Sequence, residues 1–257
     1  EIRLIRADTA VTTDAGATSA SRQTYISGNA ILSAIKSLKE EAIKEASQLL
    51  NIDEKDLFFE EGKVKSRTCL TTSLPVKEVA KRCRRILRGE GSFDPETTRL
   101  DPETGQGAPY VTYAFATHLA EVEVDTETGK VKVNRVIASH DVGKAIHPMN
   151  VIGQIMGGVA MGTGFALMEE FVPGETTSFV NYLIPTSKDI PEVIPIIVEE
   201  EEPTGPFGAK GVGEPALIPS APAILNAIAD AIGQRIYHLP ANLERVLEAI
   251  QKSKVNK

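Results

Sequence analysis

Apolar residues recur every three or four positions in four stretches of the chain, and this period is typical of helices that bury one face. It predicts helices at residues 31–49, 75–87, 222–234 and 243–250. Pro75 suits the first turn of the second helix, because the N–H that proline lacks has no helical partner there. Asn242 directly precedes the last helix and suits its N-cap.

Apolar and polar residues alternate strictly in the middle of the chain, where acidic residues separate Ala120, Val122 and Val124. A strand with one buried and one solvated face has this pattern. Together with a turn at 126–130, it predicts a hairpin over residues 110–140. Residues 57–64 are predicted to form another hairpin, around a turn at Gly62, and further strand-like runs lie at residues 1–7 and 179–184.

Two polar stretches, residues 8–27 and 90–109, show neither period and are predicted to be loops. Helices and strands alternate, but hairpins are prominent, so we predict an α+β fold with mixed sheets, packed helices and two lobes. The first lobe is expected over residues 1–108. The second is expected over residues 109–257.

The charge balance argues against a nucleic-acid surface, because 28 Lys and Arg face 35 Asp and Glu, a net charge of −7, whereas phosphate binding needs clustered basic residues. The chain shows no signal peptide and no apolar run near the ~20 residues of a membrane span. We therefore expect a cytoplasmic protein without a membrane partner.

The two cysteines, Cys69 and Cys83, have no partners at metal-ligand spacing. Two buried thiols are the simplest expectation, and a disulfide between them remains open. The chain also begins without Met, on a strand-like run, as a fragment or one piece of a larger assembly would.

Residues 152–164 contain five glycines in thirteen residues. Each costs ~1 kcal/mol relative to alanine inside a helix. Either tight helix packing or a large ligand against the backbone would offset that cost. The spacing matches neither a phosphate-binding loop nor a dinucleotide fingerprint.

A carboxylate stands in an otherwise uncharged stretch, since Glu214 lies between Gly213 and Pro215 with apolar residues beyond. Removing water from around a carboxyl group makes it a stronger base, which suits general-base catalysis. The alternative is a simple turn. The stretch leads into the helix predicted at 222–234, whose positive N-terminal end favours nearby anions.

Two further stretches combine small and polar residues. Residues 16–24 could bring consecutive N–H groups close to an anionic ligand, or form a plain solvent loop. Residues 181–186 could line a site, or simply end a strand.

These four stretches, taken together and in this order, resemble the xanthine dehydrogenase/aldehyde oxidase family of molybdenum hydroxylases. Residues 210–228 are very similar to the active-site glutamate segment of that family. Residues 152–170 resemble its pterin-contacting glutamine segment, 17–24 its Ser-rich cofactor loop, and 181–186 a further family stretch. The resemblance spans nearly the whole chain and implies the fold of the second, C-terminal molybdopterin-binding domain.

The resemblance also implies a chemistry. Glu214 would be the general base of an oxidative hydroxylation of an N-heterocycle, a purine or an aldehyde. The cofactor would be molybdenum-molybdopterin, with the cytosine dinucleotide form as one option, and no side chain of this chain would ligate the metal. The implied cofactor-binding residues are Ala20, Ser21, Arg22, Gln23, Gln154 and Gly213.

The chain departs from the family pattern at Met161, where many members carry a glutamine, so a polar contact is not expected there. It has no counterpart of the family's first molybdopterin domain, of an iron–sulfur site or of a flavin site. We therefore expect partners: the other molybdopterin-binding domain or subunit, an iron–sulfur subunit holding the clusters, and a subunit holding FAD. Alone, the chain should not turn over substrate.

Two other interpretations remain. One is a non-catalytic cofactor-carrier or assembly domain that retains the fold, against which the intact Glu214 counts. The other is an unrelated hydrolase that uses Glu214 with His147, although nothing in the sequence places these two residues together.

Overall fold

The computed structural model describes residues 2–69, 71–83 and 85–255, with only the backbone of 254–255. The chain forms two compact units. One comprises Glu1–Gly16 and Gln23–Pro109, and the other comprises Ala17–Arg22 and Tyr110–Lys257. The loop at 17–22 therefore packs with the second unit, whereas its sequence position had assigned it to the first lobe. The predicted α+β class is confirmed.

The first unit packs two helices against a small antiparallel sheet. A π-helical turn, Gln23–Ser27, leads into the first helix. The elements are α1 (Gly28–Leu50), β1 (Leu57–Glu60), β2 (Lys63–Ser66), β3 (Ser73–Pro75) and α2 (Val76–Arg82). The sheet order is β1-β2-β3. Its buried core consists of Ala42, Ala46, Leu57, Val64, Leu74 and Val79.

Several predictions for this unit were wrong. Residues 2–7 form no strand, and their apolar side chains, such as Ile2, are exposed; Glu1 lies outside the described residues. Pro75 ends β3 instead of opening α2, which stops at Arg82 because Cys83 is extended. Both cysteines are free, and Cys69 is exposed rather than buried.

The second unit places three helices around a mixed three-stranded sheet. Its elements are β4 (Ala116–Val124), β5 (Val131–Asp141), α3 (Pro148–Leu167), β6 (Glu192–Val198), α4 (Ser220–Ile232) and α5 (Leu243–Val255). Strands β4 and β5 form the predicted antiparallel hairpin, which begins at Ala116 rather than at residue 110, and β6 pairs parallel to β5. The side chain of Asn242 accepts the N–H of Arg245 and so caps α5 as expected.

Two strand predictions in this unit were wrong. Residues 179–184 form turns and irregular chain, with Phe179 and Val180 exposed. Strand β6 was not predicted, because Pro195 interrupts its apolar run and proline is normally excluded from strand interiors. It is tolerated here because β6 lies at the edge of the sheet.

Helix α3 is the central helix of this unit. By length and composition alone its 20 residues could span a membrane, so the expectation that no segment reaches that length was wrong. Its buried face packs instead into the core, where Ile155 and Val159 meet Ile224 and Ile228 of α4. The packing is that of a core helix.

Candidate functional site

The segment that carries Glu214 is fixed at its start by the end of β5. Lys144 donates its N–H to the carbonyl of Gly208 (2.7 Å), and Lys210 donates its N–H to the carbonyl of Val142 (2.9 Å). Gly143 has φ +62°, and a Cβ there would lie 2.2 Å from the oxygen of Gly208. Only glycine permits this close approach.

A part-buried ion pair reinforces this junction. The ammonium of Lys210 lies 2.6 Å from the carboxylate of Asp141, and the two side chains are 9% and 11% exposed. Asp141 also accepts the N–H of Gly143 at 3.0 Å. The pair joins the end of β5 to residues 210–220, which we call the Glu214 segment.

Helix α3 supports the same segment through two of its glycines. A Cβ on Gly158 would lie 2.5 Å from the backbone of Ala216, and one on Gly162 would lie 2.2 Å from the Cβ of Ser220. Tight packing thus explains these two glycines. Residues four apart share a helix face, so Gln154 lies on the same face of α3, one turn before Gly158. Because Gly162 meets Ser220 and Gly158 meets Ala216, this extra turn leads towards Glu214. Its side chain is exposed.

The loop at 17–22 holds Glu214 directly. The N–H of Ala20 donates to Oε1 of Glu214 at 3.0 Å, and the Ser21 hydroxyl lies 3.5 Å from Oε2. The same hydroxyl accepts the N–H of Glu214 at 2.8 Å. A Cβ on Gly211 would lie 2.1 Å from the carbonyl oxygen of Ser21, so this contact requires glycine at position 211. The sequence alone did not indicate this role of Gly211. The loop and the glutamate, 193 residues apart, form one structural feature.

Two consecutive non-glycine residues of this loop have left-handed backbones, with φ 52° at Ala20 and 53° at Ser21. Such conformations cost about 1–3 kcal/mol each and persist where surrounding contacts impose them. The contacts with Glu214 and Gly211 supply that constraint. Strained backbone of this kind is concentrated at functional sites.

The expected enclosure of the carboxylate was wrong for this chain, because Glu214 and the neighbouring Gly213 are exposed. The other predicted residues are placed as follows. Arg22 donates from its guanidinium to the carbonyl of Ala17 at 3.3 Å. Gln23 belongs to the first unit, where its amide oxygen accepts from Ser27. The structure thus brings Ala20, Ser21 and Glu214 together.

His147 has a structural partner of its own. Its Nδ1 accepts the N–H of Asn150 at 3.2 Å and so caps α3. No group of three or more His, Cys, Asp or Glu side chains that could hold a metal ion occurs among the described residues. The arrangement gives no support to a hydrolase that combines Glu214 with His147.

A histidine pair that the sequence did not reveal contacts Ser220, the last residue of the Glu214 segment. Nε2 of His118 lies 2.7 Å from Nε2 of His140, and Nδ1 of His118 lies 3.1 Å from the Ser220 hydroxyl. Burial lowers the pKa of both rings, to about 4 for His118, where the nearby His140 contributes as well. The pairing signal was absent from the sequence, because the three residues are far apart along the chain.

Residues 1–191 match the model of the molybdopterin cofactor-binding domain family. The chain belongs to this family. Glu214 itself lies beyond the matched residues, but sequence similarity to individual members of the family extends over nearly the entire chain.

Two relatives show this extent. The chain is 32% identical over 97% of its length to the 6-hydroxypseudooxynicotine dehydrogenase complex subunit gamma of Paenarthrobacter nicotinovorans, and covers 32% of it. It is 31% identical over 96% of its length to the xanthine dehydrogenase molybdenum-binding subunit of Escherichia coli O157:H7, and covers 33% of it.

The solved structure of the aldehyde oxidoreductase from Desulfovibrio gigas has the same fold. It superposes with a TM-score of 0.79 at 33% identity, over 95% of this chain and 24% of that one. This molybdopterin cofactor-binding domain therefore spans about a third or less of the length of the relatives it matches.

Proposed function

We propose that this domain is the part of a molybdenum hydroxylase that supplies the catalytic base, Glu214. The observation that carries the proposal is the exposed carboxylate, which is held by the N–H of Ala20 and lies against the Ser21 hydroxyl. A general base must be accessible to the proton it removes and held in one orientation. Glu214 meets both conditions.

The two contacts leave the carboxylate able to act. An ionised carboxylate offers about four lone-pair positions, and Ala20 and Ser21 use at most one on each oxygen. Because both donors lie on the loop side of Glu214, the remaining positions are available to a proton on a reacting group. The molybdenum cofactor, when bound, would supply the Lewis acid and the two-electron redox chemistry.

The structure fits a large cofactor beside this carboxylate. Gly153 and Gly157 lie on exposed faces of α3, and none of the described atoms would lie within 4 Å of an added Cβ. Packing within the chain therefore does not explain these two glycines, whereas close approach of a ligand or another domain would. Gln154 lies between them and would be the cofactor's hydrogen-bonding partner from α3.

The remaining cofactor contacts rest on the loop. We propose that Ser21, Arg22 and Gly213 border the cofactor and that Ala20 acts through Glu214, since its N–H is directed at that carboxylate. Gln23, in the other unit, keeps its proposed cofactor role on the resemblance alone. The same holds for the cytosine dinucleotide form.

The substrate pocket and the electron-transfer groups must come from elsewhere, because the domain spans about a third of its relatives. We propose the other molybdopterin-binding domain or subunit as one partner, and iron–sulfur and flavin subunits as others. Relatives are named as a gamma subunit and a molybdenum-binding subunit, which supports an assembly of this kind. An N-heterocycle, a purine or an aldehyde is the proposed substrate, and the cytoplasm the proposed location.

Glu214→Gln in the assembled enzyme tests the base. We expect unchanged molybdenum per enzyme and a fall in kcat of at least ~100-fold, the usual contribution of general-base catalysis. Glu200→Gln is the matched control, since it removes the same charge from another exposed position of the second unit. Turnover by Glu214→Gln close to that of Glu200→Gln would favour a non-catalytic carrier domain instead.

A further inference from the structure

Three polar side chains form a continuous path from the sheet to Ser220, the last residue of the Glu214 segment. It runs from His140 of β5 to His118 of β4 (2.7 Å), then to Ser220 at the first turn of α4 (3.1 Å). The Ser220 hydroxyl donates to the carbonyl of Ala216 at 3.3 Å. The path therefore ends on the backbone two residues after Glu214.

The path is built into the core of the second unit. His118 pairs with Ala138 and His140 with Ala116, so the two rings are diagonal neighbours on one face of the sheet. His140 is 1% exposed and Ser220 is fully buried. Burying polar groups is unfavourable unless they are hydrogen-bonded, and an apolar pair would fill this space without that cost.

The contacts assign a direction to the path. With its only O–H directed at the carbonyl of Ala216 (3.3 Å), Ser220 accepts the Nδ1–H of His118 (3.1 Å), and this is the assignment that we adopt. Nε2 of His118 is then an acceptor, and the Nε2–H of His140 donates to it. This leaves Nδ1 of His140 without a proton, which agrees with the lack of any partner for that atom among the described residues. The opposite direction would leave a buried N–H unpaired, which is the more costly defect.

We propose that His140, His118 and Ser220 are positioning residues that fix the backbone of the Glu214 segment, and through it the orientation of the catalytic carboxylate. This inference rests on the proposed function. The carbonyl of Glu214 accepts the N–H groups of Leu217 and Ile218, so the turn that contains Ala216 starts at Glu214 itself.

The segment is thereby held from two sides. Gly158 and Gly162 of α3 set how closely the helix approaches it, but van der Waals contact restrains sliding only weakly. The path adds a directional hydrogen bond from the sheet, between His118 of β4 and Ser220. Burial lowers the pKa of both rings, which keeps them neutral and the path intact near neutral pH.

The test uses the assembled, cofactor-loaded enzyme. Ser220→Ala and His140→Met interrupt the path. His140→Gln should keep it, because the glutamine amide N–H can replace Nε2–H. His238→Gln controls for loss of an exposed histidine. We expect the two breaking variants to lose about tenfold in kcat with unchanged KM and molybdenum content, because losing this indirect contact should displace Glu214 by less than the ~1 Å that can cost 100-fold. His140→Gln should recover most of that loss.

Histidine-selective 15N spectra of the same enzyme give an independent measurement. We expect His140 in the Nε2–H form and His118 in the Nδ1–H form. The reverse pattern would overturn the assigned direction. Wild-type kcat in both Ser220→Ala and His140→Met, with Glu214→Gln inactive, would overturn the positioning role alone. An active Glu214→Gln would instead remove the proposed function, whatever the variants of the path do.

Discussion

Replacing single glycines of α3 by alanine should have opposite effects at adjacent positions. At Gly157 no described atom would lie within 4 Å of the new Cβ, whereas at Gly158 the backbone carbon and oxygen of Ala216 would lie 2.5 Å away. Both residues are well inside the helix. The two substitutions therefore make the same chemical change in the same helix and differ only in their surroundings.

The expected magnitudes follow from two competing effects. Alanine is about 0.8–1.0 kcal/mol more favourable than glycine inside a helix, and Gly157→Ala should raise the free energy of unfolding by roughly that amount. At Gly158 the gain is offset by overpacking, which typically costs about 1–3 kcal/mol and sometimes more. A backbone neighbour cannot rotate away as a flexible side chain would. We therefore expect Gly158→Ala to be the less stable variant by about 2 kcal/mol.

Urea denaturation of the two variants, followed by circular dichroism, measures the difference directly. Gly153→Ala and Gly162→Ala repeat the comparison one turn away in each direction, since Gly153 is open and Gly162 packs on Ser220. Equal stability of Gly157→Ala and Gly158→Ala would refute the close packing of α3 on the Glu214 segment. In the assembled enzyme the two open-face variants, Gly153→Ala and Gly157→Ala, should lower activity if a cofactor or domain approaches that face.

Three further predictions concern charge and protonation. Lys210→Met should destabilise the protein by about 1–3 kcal/mol in denaturant titrations, because it leaves the part-buried carboxylate of Asp141 without its charged partner; a cost below ~0.5 kcal/mol would show that the pair is solvated. Burial, and then the nearby His140, lowers the pKa of His118 from 6.5 to about 4, so the unfolded chain binds this proton more readily. The associated stability is present above pH 6.5 and lost towards pH 4, and His118→Leu should flatten the slope of unfolding free energy against pH in that window. Hydrogen bonds from Thr71 and Thr72 lower the pKa of the exposed Cys69 to about 7, whereas burial raises the pKa of Cys83. Iodoacetamide at neutral pH should therefore label Cys69 first. Preferential labelling of Cys83 would contradict this.

The elements predicted correctly are those that depend on residues close together in the sequence. The alternation around Val122 reflects a hairpin with one buried face, and β4 and β5 form it. Asn242 caps α5 through a contact three residues away. Strand β6 was missed because its pairing with β5, more than fifty residues away in sequence, outweighs the local effect of Pro195.

The candidate site divides in the same way. Glu214 stood out because an isolated carboxylate among glycine, proline and apolar residues is visible in a short window. The contacts that hold it did not stand out: Ser21 belongs to a loop that the sequence analysis singled out, but it is 193 residues from Glu214, and Lys210 meets Asp141 across 69 residues. Nothing local to Ser21 indicates that its hydroxyl accepts a particular backbone N–H.

The contacts that Glu214 makes within this chain account for the orientation of its carboxylate, but they do not shield the carboxylate from water. Orientation depends on Ala20, Ser21 and the segment behind it, all of which this domain contains. The strength of a carboxylate base depends on desolvation, and Glu214 is exposed here. For the proposed base, exclusion of water would have to come from a cofactor or a domain that covers this face. On the proposed function, the apolar setting expected from the sequence would be a property of the assembled site, and this domain would contribute the aligned carboxylate.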